Sequence, residues 1–411
     1  MSSNNRILYS CQVPSIVAHG AGGSGIGGHT MGNLAPGMVH GVQSIGITTN
    51  FNLEQAFELG QIEIYENIEG TPDVEVTMEK FIDGYPLMYL LASTGVTGTD
   101  ASGLVARSKE RCDVVLGIFG EEFNNVASAT PLGGDAEAEV YMSGMYISSI
   151  SYNIPVDGTC TESITLVGNS KEWLTGDRTS MSDAAVNSFD GLDAPKALGT
   201  TGAFGPSGGL QRREDVLLEH SILPVGIQGV NGTGLGNAYR KTETTDRGNA
   251  RFTASGLGVH VQSVSISTDF SREDVFELGR KTPYYRPANF PIEVSCEIEA
   301  ITTSGDFITA LENGDPTLFQ TTASGNNTAE ENIFFTLRGG ITLDVGAKNR
   351  LASVSYGGAD ATGGNASCTY SYTNFNDLDV KQIGHNDSGV MGFLDTDASS
   401  YFRPSDSENE A

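Results

Sequence analysis

The chain has 411 residues, long for one domain and enough for two, each able to bury its own core. It carries 51 acidic against 23 basic residues, a formal net charge of −28, which argues against a protein that grips nucleic acid through phosphate contacts but not against one that lets nucleic acid pass without sticking. The five cysteines, Cys11, Cys112, Cys160, Cys296 and Cys368, are far apart and form no C-x-x-C pair, so neither a disulfide framework nor a zinc site is implied and a reducing compartment is expected.

Residues 1–10 lack the charged and apolar regions of a signal peptide, and no apolar run is long enough to span a bilayer. Ile7 to Val17 reads as a first strand, followed by a glycine-rich loop from His19 to His29. Gly23, Gly25 and Gly28 satisfy G-x-G-x-x-G, but no βαβ unit follows, so a dinucleotide site is rejected in favour of a loop. The stretch from Val42 begins with alternation: Ile45, Ile47, Thr49 and Phe51 lie on one face, as a half-buried strand requires. Asn52 then resembles a helix N-cap, Leu53 to Leu59 a short helix, and Gly60 its C-cap glycine. Val74, Val76 and Met78 mark a second strand, and Leu87, Met88 and Leu91 have the spacing of a short helix packed on the sheet. Asp113 to Ile118 resumes a strand. Ile147 to Tyr152 and Glu162 to Val167 form a last hairpin around the Asp157-Gly158 turn.

Much of this is then repeated. VQSIGITTNFNLEQAFELG at Val42 to Gly60 and VQSVSISTDFSREDVFELG at Val261 to Gly279 match at eleven of nineteen positions with a shift of 219. The copy brings its own Ser271 cap, an expected helix from Arg272 to Leu278, and Gly279. Ile292, Val294 and Cys296 align with Val74, Val76 and Met78. Phe307, Ile308 and Leu311 align with the Leu87 group and predict a second short helix. Asn332 to Leu337 matches the Asp113 strand. LASVSY at Leu351 matches ISSISY at Ile147 with a shift of 204, which implies an insertion near Phe119 to Ala138 in the first copy. In this alignment Cys368 falls opposite Ile164. The domains are therefore read as residues 1–173 and 214–385. Between them, residues 174–213 are rich in Gly, Ser, Thr, Asp and Pro and read as a linker, which as a flexible coil would span roughly 35 Å. An acidic polar tail, expected to be loosely ordered, follows at 386–411. The fold class expected is mainly β: two tandem copies of a small β-sandwich or barrel domain, each with one or two short helices.

No catalytic or metal-binding constellation emerges. The six histidines, His19, His29, His40, His220, His260 and His385, lie in loops or at strand starts, without metal-ligand spacing, and no G-x-S-x-G or phosphate-binding G-x-x-x-x-G-K is present. No enzyme and no cofactor is expected. Two charged features remain. Glu75 and Glu79, aligned with Glu293 and Glu297, form a carboxylate face opposite the apolar face of the second strand. Arg280, Lys281 and Arg286 follow the second copy's expected helix where the first has Gln61, Ile62 and Asn67. They are candidates for a contact to a neighbouring subunit made by one copy only.

The stretch VQSVSISTDFSREDVFELGRKTPYYRPANFPIEVSCEIEA and the hairpin ISSISYNIPVDGTCTESITLVG resemble the tail tube, or major tail, proteins of long-tailed bacteriophages. The resemblance covers most of both copies but not the linker or the C-terminal tail. It implies a virion structural protein, assembled in the host cytoplasm, whose rings stack into a hollow tube for ejected DNA. Such a protein meets copies of itself and a tail sheath or other tail proteins, without membrane insertion. Two tube domains per chain imply a ring of three chains, with Glu75, Glu79, Glu293 and Glu297 as candidates to line the lumen. The alternative is a β-rich baseplate protein or adhesin that binds a host surface.

Overall fold

Alternation in the sequence becomes alternation in burial. Along Asp73–Phe81 the side chains of Val74, Val76 and Met78 are buried while Glu75 and Thr77 are exposed, as a strand with one covered face demands. The computed structural model describes residues 12–19, 39–60, 62–83, 86–93, 100–101, 103–119, 136–176, 210–213, 216–217, 259–302, 308–309, 317–318, 333–337, 341–358 and 364–382, with Ile7, Thr179 and Met181. Most of the glycine-rich loop, Cys11, Pro224, the middle of the expected linker and the tail at 386–411 lie outside the described residues.

The first half contains β1 (Gln12–Ala18), β2 (Val42–Asn50), β3 (Leu53–Phe57), β4 (Ile64–Glu69), β5 (Asp73–Phe81), α1 (Met88–Ser93), β6 (Asp100–Ala101), α2 (Leu104–Arg107), β7 (Arg111–Ile118), β8 (Ala138–Pro155), β9 (Thr161–Gly168) and β10 (Glu172–Thr175). The second half contains β11 (Val216–Leu217), β12 (Val259–Asp269), β13 (Glu293–Thr302), β14 (Ile308–Thr309), β15 (Thr317–Leu318), β16 (Phe334–Leu337), β17 (Ile341–Asp344), β18 (Arg350–Gly357), β19 (Ser367–Phe375) and β20 (Asp379–Gln382). The mainly β class expected from the sequence is the class observed. All pairings are antiparallel, and one sheet runs through both halves in the order β18-β19-β13-β12-β8-β9-β5-β2.

That order reads the same in each half. β8-β9-β5-β2 of the first half corresponds to β18-β19-β13-β12 of the second. The outer strands correspond too: β1-β7-β8-β10 matches β11-β16-β17-β20. Irregularities recur at the same places. Pairing slips between Val42 and Ser44 and between Val261 and Ser263, and again between Ile147 and Ser149 and between Leu351 and Ser353. Such bulges are local features of a particular strand pair, so their recurrence matches the halves independently of residue identity.

The register corrects two of the sequence alignments. Ile45 faces Met78, and its counterpart Val264 faces Ile298. Met78 therefore corresponds to Ile298 rather than Cys296, Glu75 to Ser295, and Glu79 to Glu299. Likewise Ile164 faces Met78 while Tyr370 faces Ile298, so Tyr370 and not Cys368 is the counterpart of Ile164. A two-residue shift keeps every side chain on its face, which is why alternation alone could not detect it.

The expected helices at 53–59 and 272–278 are absent. Asn52 and Ser271 take left-handed φ values of 47° and 42°, turning the chain outward. In the first half β3 and β4 pair as a hairpin with Ala56 opposite Glu66. In the second, one bridge joins Val275 to Tyr285. Gly60 and Gly279, at φ 94° and 88°, serve the turns of these arms and not helix caps. Over Ile308–Thr309, where a helix was expected, there is a short strand paired with Thr317–Leu318. The expected linker is pinned at both ends: Leu174 lies buried in β10, Met181 is buried, and Gln211 exchanges backbone bonds with Ile82 and Cys160.

The helix that was foreseen, α1, is fully buried against the sheet. Its first backbone N–H groups, from Met88 and Tyr89, donate to the Glu162 carboxylate at 2.6 and 3.1 Å, and the Tyr152 hydroxyl donates to the same group at 3.1 Å. Burial raises the Glu162 pKa, while Lys80 and these donors oppose the shift. The buried Lys80 ammonium donates to the Pro86 carbonyl at 2.9 Å. At the equivalent pair in the second half stand Ala300 and Cys368, both buried. The four described cysteines are buried and free, as small apolar residues.

Candidate assembly interface

The two halves meet edge to edge. β12 of the second half pairs with β8 of the first from Ser263 opposite Pro155 to Asp269 opposite Ser149. In the middle, Ile266 faces Tyr152 and Ser267 faces Ser151, so apolar pairs lie on the covered face and hydroxyl pairs on the open one. The counterparts of these two strands end the sheet's eight-strand path, unpaired on their outer sides among the described residues: β2, equivalent to β12, at one end, and β18, equivalent to β8, at the other, while β1 and β10 end its side branches. Each free edge is underburied relative to its counterpart. Tyr152 is 1% exposed and Tyr356, at the equivalent site in β18, is 54% exposed. Free edges of this length are templates for pairing with another chain.

An arm reinforces the junction. Just past β12, the Phe270 N–H donates to the Ser148 carbonyl at 2.8 Å, at the bulge in β8, and the Phe270 ring is fully buried. Arg272 then crosses onto the first half. Its guanidinium donates to the carbonyls of Ile147 and Ser108, each at 2.6 Å, and of Arg286 at 2.8 Å. It lies 4.8 Å from the centre of the Tyr146 ring and 5.4 Å from that of Phe270, within cation–π range. Burial lowers its pKa to about 10, which leaves it charged at neutral pH.

Of the basic residues singled out in the sequence, Arg286 is buried and bridges the halves, bonding Asp73 at 2.6 Å and Asp274 at 2.9 Å. Lys281 participates through its carbonyl, which accepts from the Thr71 hydroxyl. Arg280 stays on its own arm, beside Glu277 at 3.9 Å and over the Tyr284 ring. The residue that sequence reasoning missed is Arg272. The available signal was its alignment with Leu53, an apolar residue in the other half.

The carboxylates lie together on the open face of the sheet. Glu75, Glu293 and Glu297 are exposed and Glu79 is half-buried. Around them stand hydroxyls: Ser163 faces Glu79, Ser265 and Ser371 flank Glu297, and the Ser263 hydroxyl donates to Glu299 at 3.2 Å. A groove of about 540 Å³ on this face, over the junction, is lined among others by Ser149, Ser151, Ser267, Asp269, Glu293 and Ser295. Along the eight strands Arg350, at the start of β18, is the one basic side chain on the open face among the described residues. Among the described residues, no helix is long and apolar enough to cross a membrane.

No family model matches the chain, and no curated protein matches it. Solved structures show a distant likeness. The cap that terminates the tube of the anti-feeding prophage shares 12% identity, over 43% of this chain and 95% of that one, with a TM-score of 0.28. A chain of the sheath–tube complex of an extracellular contractile injection system, in its extended state, shares 11% over 42% of this chain and 94% of that one, with a TM-score of 0.26. A chain of the anti-feeding prophage baseplate shares 10% over 40% and 92%, also at 0.26.

Proposed function

We propose that this chain is the structural subunit of a tail-like tube in a virion: three chains close a ring, rings stack, and nucleic acid passes through the bore. The observation that carries this reading is the β8·β12 junction. It joins two edges whose counterparts, β18 and β2, end the eight-strand path of the same sheet among the described residues. Pairing β18 of one molecule with β2 of the next repeats the internal junction head to tail. A heterologous contact of this kind closes into a ring when its rotation divides a full turn. Eight strands per chain make twenty-four in a ring of three. At ~4.8 Å between strands, that is a circumference of roughly 115 Å and a backbone diameter of about 37 Å before tilt widens it.

The covered face already carries α1, so closure turns the open face inward. That face supplies Glu75, Glu79, Glu293 and Glu297 among serines and threonines. Such a lining repels phosphates and offers few cations to hold them. Other tail proteins, a sheath among them, would meet the outer wall. Electron microscopy of the purified protein tests the reading directly: rings or tubes with an open bore are expected, and solid or irregular particles would overturn it. Replacing the four glutamates by lysine should leave rings intact and slow genome ejection, most at low salt where screening is weak. Unchanged ejection kinetics in assembled particles would remove the acidic face from the account.

A further inference from the structure

The two arms differ in one respect that the fold does not require. The second half's arm rests on the first half of the same chain. The first half's arm, residues 51–70, has the same turn and the same hairpin contact, yet it projects from the free β2 edge with its apolar side chains exposed. Asn52 repeats the left-handed turn of Ser271, and its N–H donates to Asn50 Oδ1 as that of Ser271 donates to Asp269 Oδ1. Phe51, the counterpart of the buried Phe270, is 62% exposed, and Phe57, Leu59 and Tyr65 are exposed with it.

We propose that this arm docks on β18 of a second copy of the chain, where Phe51 packs on the Arg350 guanidinium. This rests on the ring reading above and specifies its seam. The landing site follows from equivalence. Phe270 bonds the Ser148 carbonyl and lies beside Arg272, which stacks on Tyr146. The counterparts of Ser148 and Tyr146 are Ala352, at the bulge of β18, and Arg350, at its start. Arg350 is exposed and has no hydrogen bond or ion pair among the described residues.

The chemistry is exchanged rather than lost. At the internal junction the arm brings the cation, Arg272, and the strand brings the ring, Tyr146. At the seam the arm brings Leu53 in place of Arg272, and the strand brings Arg350 in place of Tyr146. A guanidinium meets aromatic side chains in both cases: Arg272 of the arm with Tyr146 of the strand and Phe270 of its own arm at the internal junction, and Arg350 of the strand with Phe51 of the arm at the seam. Net charge agrees. Residues 51–70 contain Glu54, Glu58, Glu63, Glu66 and Glu69 and no lysine or arginine, whereas residues 270–291 contain four basic and three acidic residues. Lys348 and Arg350, both exposed at the landing strand, complement the acidic arm. Two junctions of different chemistry would then alternate around the ring.

The test uses the full chain. Phe51→Ser and Arg350→Glu alter residues exposed in the isolated molecule, so thermal unfolding of the monomer should be unchanged. Each should raise the concentration at which rings form, read by light scattering, by roughly tenfold or more. A Thr48→Cys, Ser355→Cys double variant reports edge pairing separately. Those positions correspond to Ser267 opposite Ser151, so oxidation should link one molecule to the next. Cross-linking with both assembly midpoints unchanged would overturn the arm contact and leave the ring. Absence of any intermolecular cross-link at assembling concentrations would overturn both.

Discussion

The arm at 51–70 and the arm at 270–291 begin with a phenylalanine and a left-handed residue at the same places, and they share one cross-strand contact, Ala56 to Glu66 in the first hairpin and the single bridge Val275 to Tyr285 in the second. One phenylalanine is fully buried and the other 62% exposed. The local chain is alike, so the difference comes from the neighbour: β8 lies beside the second arm within the molecule, whereas among the described residues no such strand lies beside the first arm. On the ring reading proposed above, the exposed phenylalanine is the one whose partner strand lies on another copy of the chain.

That comparison can be broken most severely at the two phenylalanines. Phe270→Ala removes a fully buried ring and should cost about 3–4 kcal/mol in urea unfolding of the monomeric chain. Phe51→Ala in the same assay should change stability by less than ~0.5 kcal/mol. Equal losses would mean that Phe51 is packed within the monomer after all.

A smaller effect is expected at the next position of the arm. Arg272→Leu installs the residue that the first half carries and strands the carbonyls of Ile147, Ser108 and Arg286 without their donor. The loss should be about 2 kcal/mol. The reciprocal Leu53→Arg should leave monomer stability nearly unchanged, because Leu53 is exposed.

The smallest effect sharpens the comparison instead of breaking it. Gly60 and Gly279 have left-handed φ values of 94° and 88°, and an added Cβ meets nothing within 4 Å at either. Replacing each by alanine should cost about 1 kcal/mol from backbone conformation alone, and the same in both. Unequal costs would show that the two turns are not equivalent.

The fold was legible where side-chain alternation decides it. Val74, Val76 and Met78 announced a covered face, and Glu75 with Glu79 announced the open one. The repeat was legible because FELG and its preceding strand survive in both halves. The arms were misread for a physical reason. A capping residue, acidic first-turn residues and a closing glycine fit a helix, but a helix of that length is held by a buried stripe, and none exists here: Phe57, Leu59, Phe276 and Leu278 are all exposed. The pairing of 53–57 with 64–69 decided the outcome instead. Register was off by two residues because a shift of two preserves alternation. The β8·β12 junction was not legible at all, since any two strands with this alternation can pair. Only the chain's own geometry shows which edges meet.

The most direct test is the mass of closed particles in solution, by native mass spectrometry of single rings. Pairing β18 to β2 through three molecules predicts three chains of 43.3 kDa, about 130 kDa, with no open-ended series of larger oligomers from the same contact. Rings of six chains, or a chain that stays monomeric at every concentration, would contradict the claim that the internal junction is repeated between molecules.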